Sequence, residues 1–278
     1  MKKVCILIAV LFINVSVGVA QVSFKVNVKG RGEPVLLFPG FACPGEVWEE
    51  TVKALSKSYE CHIFTFAGFG GVSAIDTPWF STIKDEVKHY VKLNELKSPI
   101  ILGHSLGGTL GLWLASEEVQ MFKKVIVVDG LPGAIALMNP AYKKGDKLTY
   151  NSPQSTSQLE MSDEAFAEMS KQMASYMTLN MEKQSIISDW IKQADRKTYV
   201  YGYIDYLNAD LRDEIAKIKI PVVVIGATFP SREIVEPNYK KQYEKLAGVK
   251  FEYVDNSAHF IMFDQPKVLL DKIHENIH

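Results

Sequence analysis

Cysteine is scarce in this chain, and an excess of charge of either sign is missing. Three cysteines occur in 278 residues, and 31 Lys and Arg against 32 Asp and Glu leave a formal net charge of −1. A chain so near neutrality has no basic field to gather nucleic acid or an anionic membrane surface. The three cysteines and six histidines form no cluster with metal-ligand spacing, so neither a metal nor another cofactor is expected. The glycine turn "KGRGEP" (29–34) lacks the Lys-Ser pair of a phosphate loop. Beyond residue 20 no apolar run approaches the roughly 20 residues that a membrane-spanning helix needs.

One apolar run stands at the start. Lys2 and Lys3 precede "VCILIAVLFINVSVGVA", which ends with small residues at Gly18 and Ala20. This is the pattern of a secretory signal peptide cut after Ala20, and it predicts an exported protein, periplasmic or secreted, with no stable membrane insertion after cleavage. A retained anchor is the alternative, and the run is short for one. Residues 21–278 then suit one α/β domain with an insertion and a sizeable core. Cys43 and Cys61 remain in that part, one past the end of a strand and the other at the start of the next. Parallel neighbouring strands would hold them about 15 Å apart, too far for a disulfide, so two free buried thiols are expected.

Short Val/Ile/Leu runs alternate with longer amphipathic segments. The runs are "VLLFPG" (35–40), "CHIFTF" (61–66), "PIILG" (99–103), "KVIVVDG" (124–130), "PVVVIG" (221–226) and "VKFEYVD" (249–255). Helical stretches are expected near 45–57, 77–95, 106–116, 237–247 and from about 266. This alternation predicts an α/β fold: a mostly parallel central sheet flanked by helices. "VSFKVNV" (22–28) alternates polar and apolar, as an antiparallel edge strand does. From about 131 to 218 the rhythm breaks, and the segment reads as a helical cap insertion. "YNSPQSTSQ" (150–158) looks like a polar linker, and Ser162 looks like the N-cap of the helix that follows. Met161, Met169, Met173, Met177 and Met181 recur at mostly four-residue spacing. Ordinary helix packing accounts for such a stripe, and an adaptable wall for an apolar ligand is the sharper reading.

The stretch "IILGHSLGGTLG" carries the chemistry. Gly103, His104, Ser105, Leu106 and Gly107 fit G-x-S-x-G, after a strand-like run and at the start of a helix. The glycines permit a sharp strand-to-helix turn that exposes the serine hydroxyl, because a side chain at either position would strike neighbouring backbone. Such a serine needs a base. His62 lies in a strand, His89 in a helix, and His274 and His278 in the terminal helix, while His104 should point away from Ser105. His259, in "NSAHFIMFDQP", follows the last strand and leaves the same sheet edge as Ser105, so it is the expected base.

With this elbow and an "AHF" histidine loop before the final helix, the chain resembles the α/β-hydrolases. It is most similar to the capped branch of esterases, lipases, C–C bond hydrolases and prolyl aminopeptidases. The resemblance runs from "VLLFPG" to the last helix. It implies a backbone oxyanion hole. Relatives usually carry His-Gly-aromatic after the first core strand, and here Pro39-Gly40-Phe41 stands there, which points to the N–H groups of Phe41 and Leu106. It also implies an aspartate after the strand that follows the cap, but Phe229 occupies that place. Asp129, at the end of the strand after the nucleophile helix, is the leading substitute, and Glu233 and Glu236 compete. A dyad without a third member and a purely structural Asp129 both remain open.

The resemblance thus implies a serine hydrolase acting on a small-molecule acyl substrate, through an acyl-enzyme on Ser105 with His259 and Asp129. Amide, lactone or C–C hydrolysis would use the same residues, and a binding protein that has lost catalysis is the non-enzymatic alternative. For export, intact-mass measurement of the exported protein should give a chain starting at Gln21. A mass that includes Met1–Ala20 would contradict cleavage.

Overall fold

In the computed structural model, which describes residues 23–139 and 141–278, the apolar runs become strands. The expected signal peptide at 1–20 lies outside the described residues. The strands are β1 Phe24–Gly30, β2 Glu33–Phe38, β3 Tyr59–Phe66, β4 Ile100–His104, β5 Lys124–Val128, β6 Val222–Ala227 and β7 Lys250–Val254. They form one seven-stranded sheet in the order β1-β3-β2-β4-β5-β6-β7. β1 pairs antiparallel with β3 along the edge, Phe24 opposite Phe66, and the other pairings are parallel. Val35 to Phe38 of β2, Ile100 to Leu102 of β4 and Val125 to Val128 of β5 are fully buried. That is why these runs carry no polar alternation.

The chain passes from β2 outward to β3, then returns across β2 to β4 and proceeds the other way. β2 and β4 therefore flank the point where strand order reverses, where parallel sheets open a crevice at their carboxyl ends. The loops carrying Gly40, Ser105 and Asp129 all leave that edge.

Before β5 come the helices α1 Glu49–Leu55, α2 Trp79–Leu93 and α3 Leu106–Glu117. Between β5 and β6 lie α4 Ile135–Met138, α5 Pro153–Leu159, α6 Asp163–Met177, α7 Met181–Gln193 and α8 Arg196–Asn208, and no strand occurs there among the described residues. After β6 come α9 Arg232–Gln242, α10 Ile261–Asp264 and α11 Pro266–Asn276. Ser162 caps α6 by accepting from the Ala165 N–H, as its position predicts.

Three expectations need correction. The polar stretch 150–158 is largely helical, because Ser152 accepts from the Ser155 N–H and Pro153 occupies the first turn of α5. The helix expected near 237–247 spans Arg232–Gln242, with Pro237 inside it rather than at its start. The segment near 45–57 opens with a short 3-10 turn, Gly45–Trp48, before α1.

Cys43 and Cys61 are both buried and free. Burial pushes the Cys43 thiol far up and the Cys61 thiol up to about 11, so neither is a thiolate near neutral pH. An aromatic disulfide reagent should leave both unmodified in the native protein and modify both after denaturation. Rapid native labelling of either would contradict this packing.

Candidate active site

Ser105 sits between β4 and α3 with φ of 52° and ψ of −120°. A non-glycine residue held at such an angle costs roughly 1–3 kcal/mol and persists only where the surroundings impose it. Here they do. A Cβ on Gly103 would stand 2.3 Å from the Gly107 carbonyl oxygen, and one on Gly107 would stand 2.4 Å from that of Phe38. The turn is anchored by the Ser105 N–H donating to the Val128 carbonyl at 2.9 Å and by the Gly108 N–H donating back to the Ser105 carbonyl.

Asp129, the first residue past β5, also has a positive φ, 49°. Its N–H donates to the Ile225 carbonyl at 2.9 Å, which fixes the backbone while the side chain turns toward the sheet's carboxyl edge. His259 Nδ1 lies 2.6 Å from Asp129 Oδ2. Oδ1 accepts from the Ala227 N–H at 2.7 Å and from the Tyr239 hydroxyl. Burial pushes this carboxyl up. The hydrogen bond and charge of His259, the Tyr239 hydroxyl and the Ala227 N–H outweigh it and hold Asp129 below the ordinary carboxylate value. An ionised carboxylate accepts only, so Nδ1 carries the proton and Nε2 is left for another partner.

The competing carboxylates stand elsewhere. Glu233 is exposed in the first turn of α9, and Glu236 pairs with Arg232 and Lys240. Phe229, in the place that relatives give to aspartate, is half exposed and lines the cavity.

Four neighbours of this constellation escaped sequence reasoning. Tyr239 reaches Asp129 from α9 because Gly226 lies beneath it, where a Cβ would be 2.8 Å from its ring. Burial raises that phenol well above its ordinary value, so it remains a donor. Ala227 gives its backbone N–H. His104, expected to point away from Ser105, is fully buried, and its Nε2 lies 3.0 Å from the His259 carbonyl. That carbonyl only accepts, so Nε2 holds the His104 proton. Asp264 fastens the same loop to the insertion: Oδ2 accepts from the Ala258 N–H at 2.7 Å, and Oδ1 accepts from the Leu179 and Asn180 N–H groups. The motif "HFIMFDQP" contains Asp264 but gives no sign of its partners between α6 and α7.

Ser105, Asp129 and His259 line one cavity of about 630 Å³. Gly40 and Phe41 border it on one side, and Met169, Met173 and Met177 on another. The methionine stripe is therefore a cavity wall in its middle, where ordinary packing was the favoured reading. Met181 is 81% exposed and Met161 packs on the core. Among the described residues no loop or cap hydrogen bond takes up the N–H of Phe41 or of Leu106. No group of His, Cys, Asp and Glu able to hold a metal occurs among the described residues.

Residues 33–266 match the family described as alpha/beta hydrolase fold. The pimeloyl-acyl-carrier-protein methyl ester esterase of Vibrio cholerae is 22% identical over 199 residues, covering 71% of this chain and 76% of that protein. N-formylmaleamate deformylase of Pseudomonas putida is 20% identical over 244 residues, covering 84% and 85%. The crystal structure of the enol-lactonase from Burkholderia xenovorans aligns with a TM-score of 0.74 at 16% identity, over 91% of this chain and 95% of that one. At such identity the structural likeness is one of fold.

His104 also sets a pH dependence. Burial, with the neighbouring His259 charge, pushes it from the ordinary 6.5 down to about 3. The unfolded chain binds this proton below pH 6.5 while the folded chain refuses it down to about 3, so stability is full above 6.5 and falls between those values. Melting temperature followed across that window should drop more steeply for wild type than for His104→Gln. Parallel curves would contradict a buried neutral His104.

Proposed function

Because the chain belongs to the alpha/beta hydrolase fold family, we propose that it is a serine hydrolase, cleaving a small or medium carboxylic ester through an acyl-enzyme on Ser105. One observation carries the reading: the 2.6 Å contact of His259 Nδ1 with Asp129, in the cavity that Ser105 also lines. It supports a role for Asp129 in orienting the imidazole so that Nε2 faces the serine.

In this reading Ser105 Oγ attacks the ester carbonyl carbon while His259 Nε2 takes the hydroxyl proton. The carbonyl oxygen becomes an oxyanion held by the N–H groups of Phe41 and Leu106, the second at the positive end of α3. When the tetrahedral adduct collapses, the C–O bond to the alcohol breaks and the alcohol leaves with the proton from His259. Water then gives a proton to His259 and attacks the acyl carbon; in the collapse of this second adduct the bond from that carbon to Ser105 Oγ breaks, Oγ takes the proton back from His259, and the acid leaves. Asp129 stays ionised throughout and stabilises the imidazolium. The Ser105 backbone angle, imposed by its glycines, presents Oγ to the cavity before any substrate arrives. We further propose that the mature chain starts at Gln21 and acts outside the cytoplasm, on the strength of the Lys2-Lys3 and apolar pattern.

Ser105→Ala should fold as wild type and lose ester turnover by on the order of 10³-fold or more. Retention of about a tenth of the activity would sink the assignment. Asp129→Asn should lower kcat by up to about 10⁴-fold, because an amide favours the wrong tautomer. Glu233→Gln should leave steady-state kinetics near wild type. Silencing by the Glu233 change instead would name a different acid.

A further inference from the structure

The cavity that Ser105 lines carries almost no charge beyond the constellation itself. No Lys, Arg or Glu is among the described residues that line it, and its one carboxylate, Asp129, has both oxygens engaged. The remaining polar side chains on its walls, Gln154, Gln158 and Asn238 among them, are neutral. Two apolar walls of different character face the reacting serine. One is the methionine face of α6, Met169, Met173 and Met177, whose unbranched side chains adjust to a guest. The other is aromatic: Phe41, beside the elbow, packs its ring 5.5 Å from that of Tyr199 and 5.1 Å from that of Tyr203. At the mouth the apolar surface continues outward through Leu137, Met138, Tyr176 and Phe229, all exposed. Exposed large apolar side chains gathered at a cavity mouth mark a surface that meets apolar matter.

Resting on the acyl-enzyme reading, we propose that the substrate is an uncharged ester whose larger group is apolar, aryl or medium alkyl, and that the cavity rejects acyl or alcohol groups ending in a carboxylate. The physical reason is desolvation. A carboxylate entering here would shed its water, meet no cation, and lie in the field of the ionised Asp129. A neutral apolar group loses nothing comparable and gains the contact of both walls.

Labelling of Ser105 tests this without knowledge of the natural substrate. Two alkyl phosphonofluoridates of equal length are compared, one ending in a methyl ester and one in a carboxylate. In each reaction the Ser105 Oγ–P bond forms, fluoride leaves, and His259 takes the serine proton. The neutral probe should react faster by on the order of 10²-fold, as desolvation of an unpaired charge requires. Phenyl-ended and hexyl-ended neutral probes, run alongside, tell an aryl from an alkyl occupant, and both should outrun the carboxylate. In Met173→Arg a cation joins the methionine wall, and the ratio should shrink by about tenfold. Equal rates for the two probes in wild type, or an unchanged ratio in the variant, would overturn the proposal and leave the serine reading standing. Failure of every probe to label Ser105 would overturn the serine reading itself.

Discussion

The mostly buried carboxylate of Asp129 is the constraint on which the site depends. A charge in that place survives only if its oxygens are satisfied, and it takes bonds from three directions: the loop before α10, the end of β6, and α9. Each donor depends on the sheet. The parallel register of β4, β5 and β6 puts Ser105, Asp129 and Ala227 at successive strand ends along one edge. Gly226 lets Tyr239 come close enough to reach the same oxygen. The end of β5 can hold this carboxylate because α9 roofs it and the last amide of β6 borders it.

The histidine loop is held as firmly as the carboxylate it meets. His104, adjacent to Ser105, binds the His259 carbonyl, so the Ser105 turn and the His259 loop are tied through one imidazole that stays uncharged near neutral pH. Asp264 and the Phe260 N–H, which donates to the Met177 carbonyl, tie the same loop to the α6–α7 junction. The helix that carries the methionine wall is thereby fastened to the loop that carries His259.

Much of this was legible in the sequence, for reasons that differ from residue to residue. The buried strands announce themselves because helices cover both faces, leaving unbroken Val/Ile/Leu runs. Ser105 and His259 are legible because their chemistry fixes their neighbours or their place in the α/β rhythm. Asp129 leads Glu233 and Glu236 in the sequence because it ends the strand beside the nucleophile helix, but only tertiary distance shows which carboxylate reaches His259, and it is Asp129. Tyr239, Ala227 and Asp264 left no trace because each acts through a long-range contact set by packing. The bond from His104 to the His259 carbonyl left no trace either, because it too is a long-range contact set by packing. The serines and proline of 150–158 read equally well as a linker or as a capped first turn, and Pro237 as a helix start or an interior residue; only packing separates these readings.

The contact with the Asp129 carboxylate keeps the His259 proton on Nδ1 and leaves Nε2 without it. Proton–nitrogen NMR of the protein with labelled histidine reads this directly. His259 should show a strongly deshielded Nδ1–H resonance that disappears in Asp129→Asn and is unmoved in Glu233→Gln and Glu236→Gln. A His259 that carries its proton on Nε2 in the wild-type protein, or whose Nδ1–H resonance persists without the Asp129 carboxylate, would contradict it.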